Sequence, residues 1–102
     1  MSIKQLLQSI GLPCVYSHFK GPDAPDKPPF IAYLGSGQDR FLADDTIYHK
    51  RDRYQIEYYF TKKSAATEER IERILLENGL IYEKSEDVYI DSEDCFVIYY
   101  TV

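Results

Sequence analysis

The chain has 102 residues, which fits a single domain spanning residues 1–102, and its 44% hydrophobic content is ordinary for a globular protein. Seventeen acidic residues against twelve basic ones give a net charge of -5. Nucleic-acid binding through a basic patch, including sequence-specific binding, is therefore not expected, because phosphate contacts need clustered Lys and Arg. Ten Tyr, five Phe and no Trp favour half-buried sheets and protein interfaces.

No targeting or membrane segment is predicted. The opening stretch, MSIKQLLQSIG, lacks the apolar region of a signal peptide. The longest apolar runs fall far short of the about 20 residues that cross a bilayer. A cytoplasmic chain would keep Cys14 and Cys95 as free thiols, although the sequence leaves a bridge between them open.

The first predicted helix begins after Ser2. Ser2 and Gln5 have the spacing of a capping box, in which each side chain satisfies the other residue's backbone N–H. Apolar residues recur at helical spacing from Ile3 to Ile10, and Gly11 ends the helix. A helix this short needs an apolar surface to pack against.

The next part of the chain alternates strands and loops. Cys14–Tyr16 reads as a brief strand, and residues 21–29 as an extended loop, since they contain four of the five prolines. Residues 30–34 form an interior strand that residues 35–37, Gly-Ser-Gly, are expected to end. Residues 38–45 then form a polar connection.

The strongest strand signal runs from Thr46 to Thr61, without Gly or Pro. Five even positions carry aromatic or apolar residues (Tyr48, Tyr54, Ile56, Tyr58 and Phe60), whereas the odd positions from 49 to 57 are polar. This alternation predicts a strand with one face on a core and one in water. Sixteen residues would run roughly 50 Å, longer than a domain of this size needs for its core.

The length of this stretch leaves two alternatives. Either residues 50–52 bend it into two strands, or part of it projects from the domain, where an open strand edge invites another chain. We expect Tyr54–Phe60 to form core sheet against both helices. We expect the half from Thr46 to Arg53 to reach a neighbouring subunit.

A second helix is predicted from Ala65 to Asn78. Ser64 caps its first turn, and Ile71 and Leu75 belong to its apolar stripe. Glu68 lies early in the helix, where its negative charge interacts favourably with the helix dipole.

The last strands are predicted at Val88–Ile90 and from Cys95 to Val102, joined by a turn at residues 91–94. Residues 80–82 form a short strand or the approach to one. The order α-β-β-β-α-β-β predicts an α+β fold. Its mostly antiparallel sheet of four to five strands has two helices packed on one face.

Side chains that could carry chemistry are not arranged in a recognisable site. The acidic residues from Glu83 to Asp94 lack the Gly and the spacing of a calcium loop. His18 and His49 lack the partners of a metal site or a nucleophilic dyad. Residues 35–40 lack the third Gly of a dinucleotide loop. The sequence therefore predicts no enzyme activity, no metal and no cofactor.

Surface features instead favour assembly. The prolines lie in polyproline register, and their stiff loop would suit an arm touching a neighbour. Tyrosine pairs at 58–59 and 99–100 put aromatic rings on both faces of two strands, more than one small core needs. The candidate subunit-interface residues are Tyr48, His49, Arg51, Arg53, Pro25, Pro28 and Tyr99.

A set of strand and helix motifs runs along nearly the whole chain. They are the apolar opening helix, Pro-Pro-Phe-Ile-x-Tyr (Pro28 to Tyr33), Phe41-x-Ala43-Asp44, Tyr54-x-Ile56-Glu57-x-Tyr59, the Glu-rich helix from Glu68 to Glu77, and Tyr82-Glu83-Lys84 through Ile90 to Tyr99. Together they resemble a family of small structural proteins from tailed phages and Gram-positive prophages, the tail completion proteins close to the tail terminator and head–tail joining group. None of these motifs is a catalytic signature.

The resemblance implies a non-enzymatic part of the virion, assembled in the bacterial host cytoplasm. Tail terminators form rings, typically of six subunits, that cap the tail tube and present a surface to the head connector. The implied partners are further copies of the chain and tail tube or head connector proteins, with no membrane involved. The alternative from the residues alone is a monomeric adaptor or regulatory domain that binds a peptide by strand addition or through the proline loop.

Overall fold

The computed structural model describes residues 2–16, 27–43 and 47–102, with the backbone alone for residues 39–43 and 47–50. Two helices and a six-stranded, mostly antiparallel sheet form the described chain. The predicted α+β fold is therefore confirmed.

Both helices begin at the caps that the sequence predicts. Helix α1 spans Ile3–Gln8, and the Ser2 and Gln5 side chains accept each other's backbone N–H groups at 3.2 and 3.0 Å. Helix α2 spans Ala65–Glu77, and the Ser64 hydroxyl accepts the Thr67 N–H at 3.2 Å. Each cap satisfies backbone donors that a helix leaves free at its first turn.

The strands pair in the order β1-β2-β3-β6, and β4 and β5 both lie along the outer edge of β6. Only β1 and β2 run parallel. The strand bounds are β1 (Cys14–Tyr16), β2 (Phe30–Ala43), β3 (Ile47–Phe60), β4 (Glu83–Lys84), β5 (Val88–Ile90) and β6 (Cys95–Thr101).

The count of six strands corrects the expected four to five. The extra strand arises because one edge segment is interrupted: Glu83 pairs with Thr101, but Val88 pairs with Val97, a register shift of one residue. The Ser85 N–H continues the ladder by donating to the carbonyl of Tyr99 at 2.9 Å. Strands β4 and β5 are therefore two parts of one bulged edge.

The main core lies between the helices and one face of the sheet. Ile56, Tyr58 and Phe60 of β3 are buried there against residues of both helices, with Tyr54 partly buried at the margin. This arrangement confirms that the second half of the long strand is core sheet. The other buried side chains of this core are Leu6, Leu7, Ile10, Ile31, Tyr33, Ile71, Leu75, Ile98, Tyr100 and Val102.

The opposite face of the sheet carries a smaller apolar cluster to which neither helix contributes a residue. The rings of Phe30 and Tyr59 stack there with centroids 4.7 Å apart. Its other buried members are Ala32, Cys95 and Val97. Tyr59 thus departs from the expectation of one wet strand face, because its ring packs on its own sheet.

Strand β2 is much longer than predicted. Residues 35–37 do not end it but form a bulge, since Gly35 pairs with Tyr54 while Gln38 pairs with Asp52. Gly37 adopts φ +102°, a conformation that favours glycine. The supposed polar connection therefore continues as strand to Ala43, while β3 is one strand over 14 residues.

The two cysteines are free thiols. Cys14 lies on β1 and Cys95 on β6, with β2 and β3 between those strands. Three strand spacings amount to about 14 Å, well beyond the Cα separation of a disulfide. The bridge that the sequence left open is therefore excluded within one chain.

Candidate functional site

The candidate site is a hairpin arm formed by residues 38–43 of β2 and 47–52 of β3. Their register is continuous from the pair Gln38–Asp52 to the pair Ala43–Ile47. Six paired residues per strand give the arm a length of about 20 Å. The Gln38 Nε2 atom donates to Asp52 Oδ1 at 2.8 Å, which joins the strands at the base of the arm.

The arm extends beyond the rest of the sheet. Strand β1 pairs with β2 only at residues 31–33. The pairing of β3 with β6 and the residue after it reaches no further than Tyr54, which exchanges backbone hydrogen bonds of 3.1 and 3.0 Å with Val102. No third strand pairs with the arm in residues 2–16, 27–43 and 47–102. Two-stranded hairpins alone are marginally stable, and open edges are the usual route to pairing with another chain.

The dimensions of the molecule reflect this projection. The Cα radius of gyration is 15.0 Å and the principal extents are 50 × 29 × 24 Å. A compact domain of this length would have a radius of gyration of about 13 Å. The 14 residues of β3 would span about 46 Å, which is close to the longest extent of the molecule.

A groove of about 520 Å³ lies at the base of the arm. It separates the arm from the start of α1 and from the chain just after α2. Arg51 is exposed beside it. The lining residues are Ser2, Ile3, Leu6, Arg51, Asp52, Tyr54, Asn78 and Leu80.

At the far edge of the sheet, β4 is fixed to α2 by an ionic network. The Lys84 Nζ atom donates to Glu68 Oε1 at 2.9 Å and lies 2.8 Å from Glu72 Oε2. Glu72 also accepts the hydroxyls of Tyr100 at 2.8 Å and Tyr82 at 3.1 Å. The side chain of Glu68 is only 6% exposed, so its charge depends on these partners.

Lys63 extends the network to the segment between β4 and β5. Its Nζ atom donates to both carboxylate oxygens of Asp87, at 3.0 and 2.9 Å. It also lies 2.9 Å from Glu68 Oε2, an ion pair without hydrogen-bond geometry. Glu68 is thus paired with a cation at each of its carboxylate oxygens, Lys84 at Oε1 and Lys63 at Oε2.

The pKa values in the network follow from these contacts. Burial alone would raise the pKa of the Glu72 carboxyl, but hydrogen bonds from Lys84 and Tyr100 outweigh burial and hold that pKa below its usual value. Burial alone would lower the pKa of Lys84, but its bonds to Glu72 and Glu68 raise it. Burial, followed by the hydrogen bond to Glu72, raises the pKa of the Tyr100 hydroxyl. These pKa shifts favour an ionised Glu72, a protonated Lys84 and a neutral Tyr100 at neutral pH, the charge states in which the network joins β4 to α2.

We call residues 83–90, the bulged outer edge of the sheet, the acidic edge. Glu83, Glu86 and Asp87 are exposed there. Glu83 and Glu86 make no ion pair with any residue in the described part of the chain. No strand within the described ranges covers this edge.

The structure places most predicted interface residues on or near the arm. Tyr48 and His49 stand opposite Leu42 and Phe41 in the register of the arm. Arg51 is exposed, Arg53 is half-buried at the arm base, and both share a strand face with Tyr59 by period-two alternation.

The other predicted interface residues lie outside the arm. Tyr99 is half-buried beside the smaller apolar cluster, opposite Glu57, so it is not close to the arm tip. Pro28 is half-buried before β2 and is joined to Pro29 by a cis peptide bond. Pro25 lies outside the described residues.

The sequence shows the acidic residues from Glu83 to Asp94 but does not predict that residues 83–90 form the outer edge of the sheet or that an ionic network fixes this edge to α2. The i, i+4 spacing of Glu68 and Glu72 puts both carboxylates on one face of α2, which is a signal that the sequence carries. Their partner Lys84 comes from a strand after the helix, so only the fold reveals that the two carboxylates face a cation.

The chain matches no protein-family model, no curated protein and no solved structure. No helix in the described ranges is long and apolar enough to cross a membrane. Among the residues that the structure describes, no group of three His, Cys, Asp or Glu side chains is placed to hold a metal ion. The arm and the acidic edge remain the features that stand out from an ordinary small domain.

Proposed function

We propose that this chain is a non-enzymatic structural protein of a tailed phage or prophage that completes the tail or joins it to the head. It would act by forming a ring on the end of the tail tube. The observation that carries the proposal is the projecting arm, whose two strands have no third strand beside them within the described ranges. The family resemblance of the motifs gives the virion context.

The arm supports an assembly role on energetic grounds. A ribbon of two strands buries little surface within its own chain, so it gains stability by packing on another subunit. Its sequence carries apolar residue types at paired positions, such as Leu42 opposite Tyr48 and Ala43 opposite Ile47. An arm of this composition is suited to a protein interface.

The rest of the domain suits a rigid base for such an arm. Two apolar clusters cover opposite faces of the sheet. An ionic and hydrogen-bond network joins α2 to the edge strand and to β6 through Lys84, Glu68, Glu72 and Tyr100. These contacts hold α2 against the sheet, as expected of a rigid structural protein. The proposal places the assembly of this protein into the virion in the cytoplasm of the bacterial host.

The net charge of -5 suits a ring through which DNA passes, because like charge repels phosphate and prevents sticking. The relevant acids would then face the lumen. An assembled ring whose lumen lacks acidic side chains would contradict this part of the proposal.

Electron microscopy of particles made without the gene tests the proposal. We expect overlong tails, or tails without heads, because the end of the tube is neither capped nor joined. Purified protein should also bind the ends of isolated tail tubes. Tails of normal length joined to heads, or failure to bind the tubes, would refute the proposal, whereas a monomer in solution would not, since the ring would form on the tube.

The second candidate is a monomeric adaptor that captures an extended peptide by strand addition. The open acidic edge favours it, with Tyr89 of β5 50% exposed. A stable monomer that binds basic extended peptides, and that does not affect tail assembly, would support this candidate instead.

A further inference from the structure

Four strand edges are open in the described part of the chain: the outer edge of β1, the β2 and β3 edges of the arm, and the acidic edge. Each presents backbone groups that another strand can pair with. Residues 14–16 of β1 and residues 38–43 of β2 carry no formal net charge. Charge therefore distinguishes only the β3 edge of the arm and the acidic edge, and it selects which pairings are favourable.

The charges of the two segments are opposite. Residues 47–53 of the arm strand contain three basic residues and one acidic residue, so their formal charge is +2 with His neutral. Residues 83–90 of the acidic edge contain three acidic residues and one basic residue, so theirs is -2. Pairing two arms or two acidic edges would put like charges opposite one another, which is destabilising.

We infer that the arm of one copy adds through its β3 strand to the acidic edge of a second copy. The contact joins two different surfaces, so it is heterologous and can repeat from copy to copy. It closes into a ring when the rotation between copies divides a full turn. The inference rests on the proposed function, since it supplies the contact from which the ring would be built.

The acidic edge is suited to receive a strand without rearrangement. Its two halves are fixed by Lys63 on Asp87 and by Lys84 on Glu68, all at about 3 Å or less. Glu83 and Glu86 remain exposed on it. A preformed acceptor lowers the entropic cost of binding.

The two segments also match in length. The acidic edge contains eight residues and would span about 26 Å, and residues 47–53 would span about 23 Å. The bulge between β4 and β5 breaks the regularity that would favour indiscriminate strand pairing. Complementary charge then favours the arm over other strands.

Cross-linking of single-cysteine variants tests the contact. In a full-length Cys14→Ala/Cys95→Ala background, one variant carries Arg51→Cys and a mass tag, and the other carries Glu86→Cys. Each variant, and their mixture, is treated with a short bis-maleimide at protein concentrations up to about 1 mM. We expect a dimer of mixed mass only in the mixture, rising with concentration. Efficient cross-linking of the Arg51→Cys variant alone, or no mixed dimer at the highest concentration, would overturn the inference.

Charge exchange provides a second test. Arg51→Glu and Glu86→Arg should each weaken self-association about fivefold, because each converts an attraction into a repulsion. Combining both substitutions in one chain should restore association towards the original level. Lys62→Glu, the same change of charge on an exposed residue outside both segments, is the matched control. Two additive losses, with no recovery in the combined variant, would show that these charges do not meet.

The contact between copies and the proposed role in tail completion can be refuted independently of each other. The cross-link is measured on purified protein, whereas tail completion is measured on particles made without the gene. Loss of the mixed dimer with abnormal tails would reject this contact and keep the proposed function. A mixed dimer together with normal tails would keep this contact and reject the proposed function.

Discussion

Removing the arm should separate folding from assembly. Gly35 and Tyr54 are register partners at the base of the arm, so residues 36–53 can be replaced by Asn-Gly, the sequence that favours a two-residue hairpin turn. The shortened chain would keep every strand pairing of β1, β4, β5 and β6. It would lose only the arm.

The expected change in the free energy of unfolding is small. Among the residues whose side-chain burial the structure describes in this segment, residues 36–38 and 51–53, none is a buried member of either apolar cluster. The deletion removes the Gln38–Asp52 hydrogen bond, which is exposed and worth about 1 kcal/mol at most. Shortening the connection from 18 residues to two is about three halvings of its length, which lowers the closure cost by about 2 kcal/mol. The net change should stay within about 1 kcal/mol, or roughly 5 °C in Tm.

Thermal and urea unfolding of the full-length and shortened chains would measure this difference, and the mixed cross-linking assay would measure association. We expect nearly unchanged stability together with loss of the mixed dimer. A loss of more than about 3 kcal/mol would show that the arm belongs to the folding core. Full association without the arm would show that another surface holds the copies together.

Three further predictions concern helix α2 and the ionic network that fixes it to the edge of the sheet. Ile71→Ala should lower the free energy of unfolding by about 2–5 kcal/mol, because Ile71 is fully buried, whereas Leu76→Ala should cost little, because Leu76 is 56% exposed. Lys84→Met should cost about 2–3 kcal/mol, since it leaves Glu68 without its closest hydrogen-bonding cation; Lys62→Met is the control. The pKa of Glu72 is held below its ordinary value of 4.5, so its stabilisation is present above about pH 4.5 and is lost as pH falls through the folded-state pKa; Glu72→Gln should therefore flatten the decline in stability below about pH 4.5.

Urea unfolding at each pH would check all three. Equal losses for Ile71→Ala and Leu76→Ala would contradict the assigned helix face. A Lys84→Met variant as stable as its Lys62→Met control would mean that water replaces the cation. An unchanged acid decline in Glu72→Gln would assign the titration to other carboxyls.

The helices were predictable because their signals are local. The capping box of Ser2 and Gln5 and the cap at Ser64 lie within one turn of the helices that they start. The core half of β3 was predictable for the same reason, since its alternation from Tyr54 to Phe60 is local as well.

The extension of β2 was not predictable from its own residues. Gly35 and Gly37 are compatible with a turn or a bulge, and the choice depends on the strand opposite. A 14-residue β3 needs a partner for its outer half, and residues 38–43 are the nearest stretch that provides one. The length of β3 therefore favoured interpreting residues 35–37 as a bulge within β2 rather than as the end of that strand.

Complementation of particles made without the gene tests the central claim, that the protein completes the tail through its arm. The gene is supplied either in full or with residues 36–53 replaced by Asn-Gly, and tails are examined by electron microscopy. We expect the full chain to restore tails of uniform length joined to heads, and the shortened chain, though folded, to leave them abnormal. Restoration by the shortened chain would contradict the claim for the arm, and normal particles without any copy of the gene would contradict the proposed function itself.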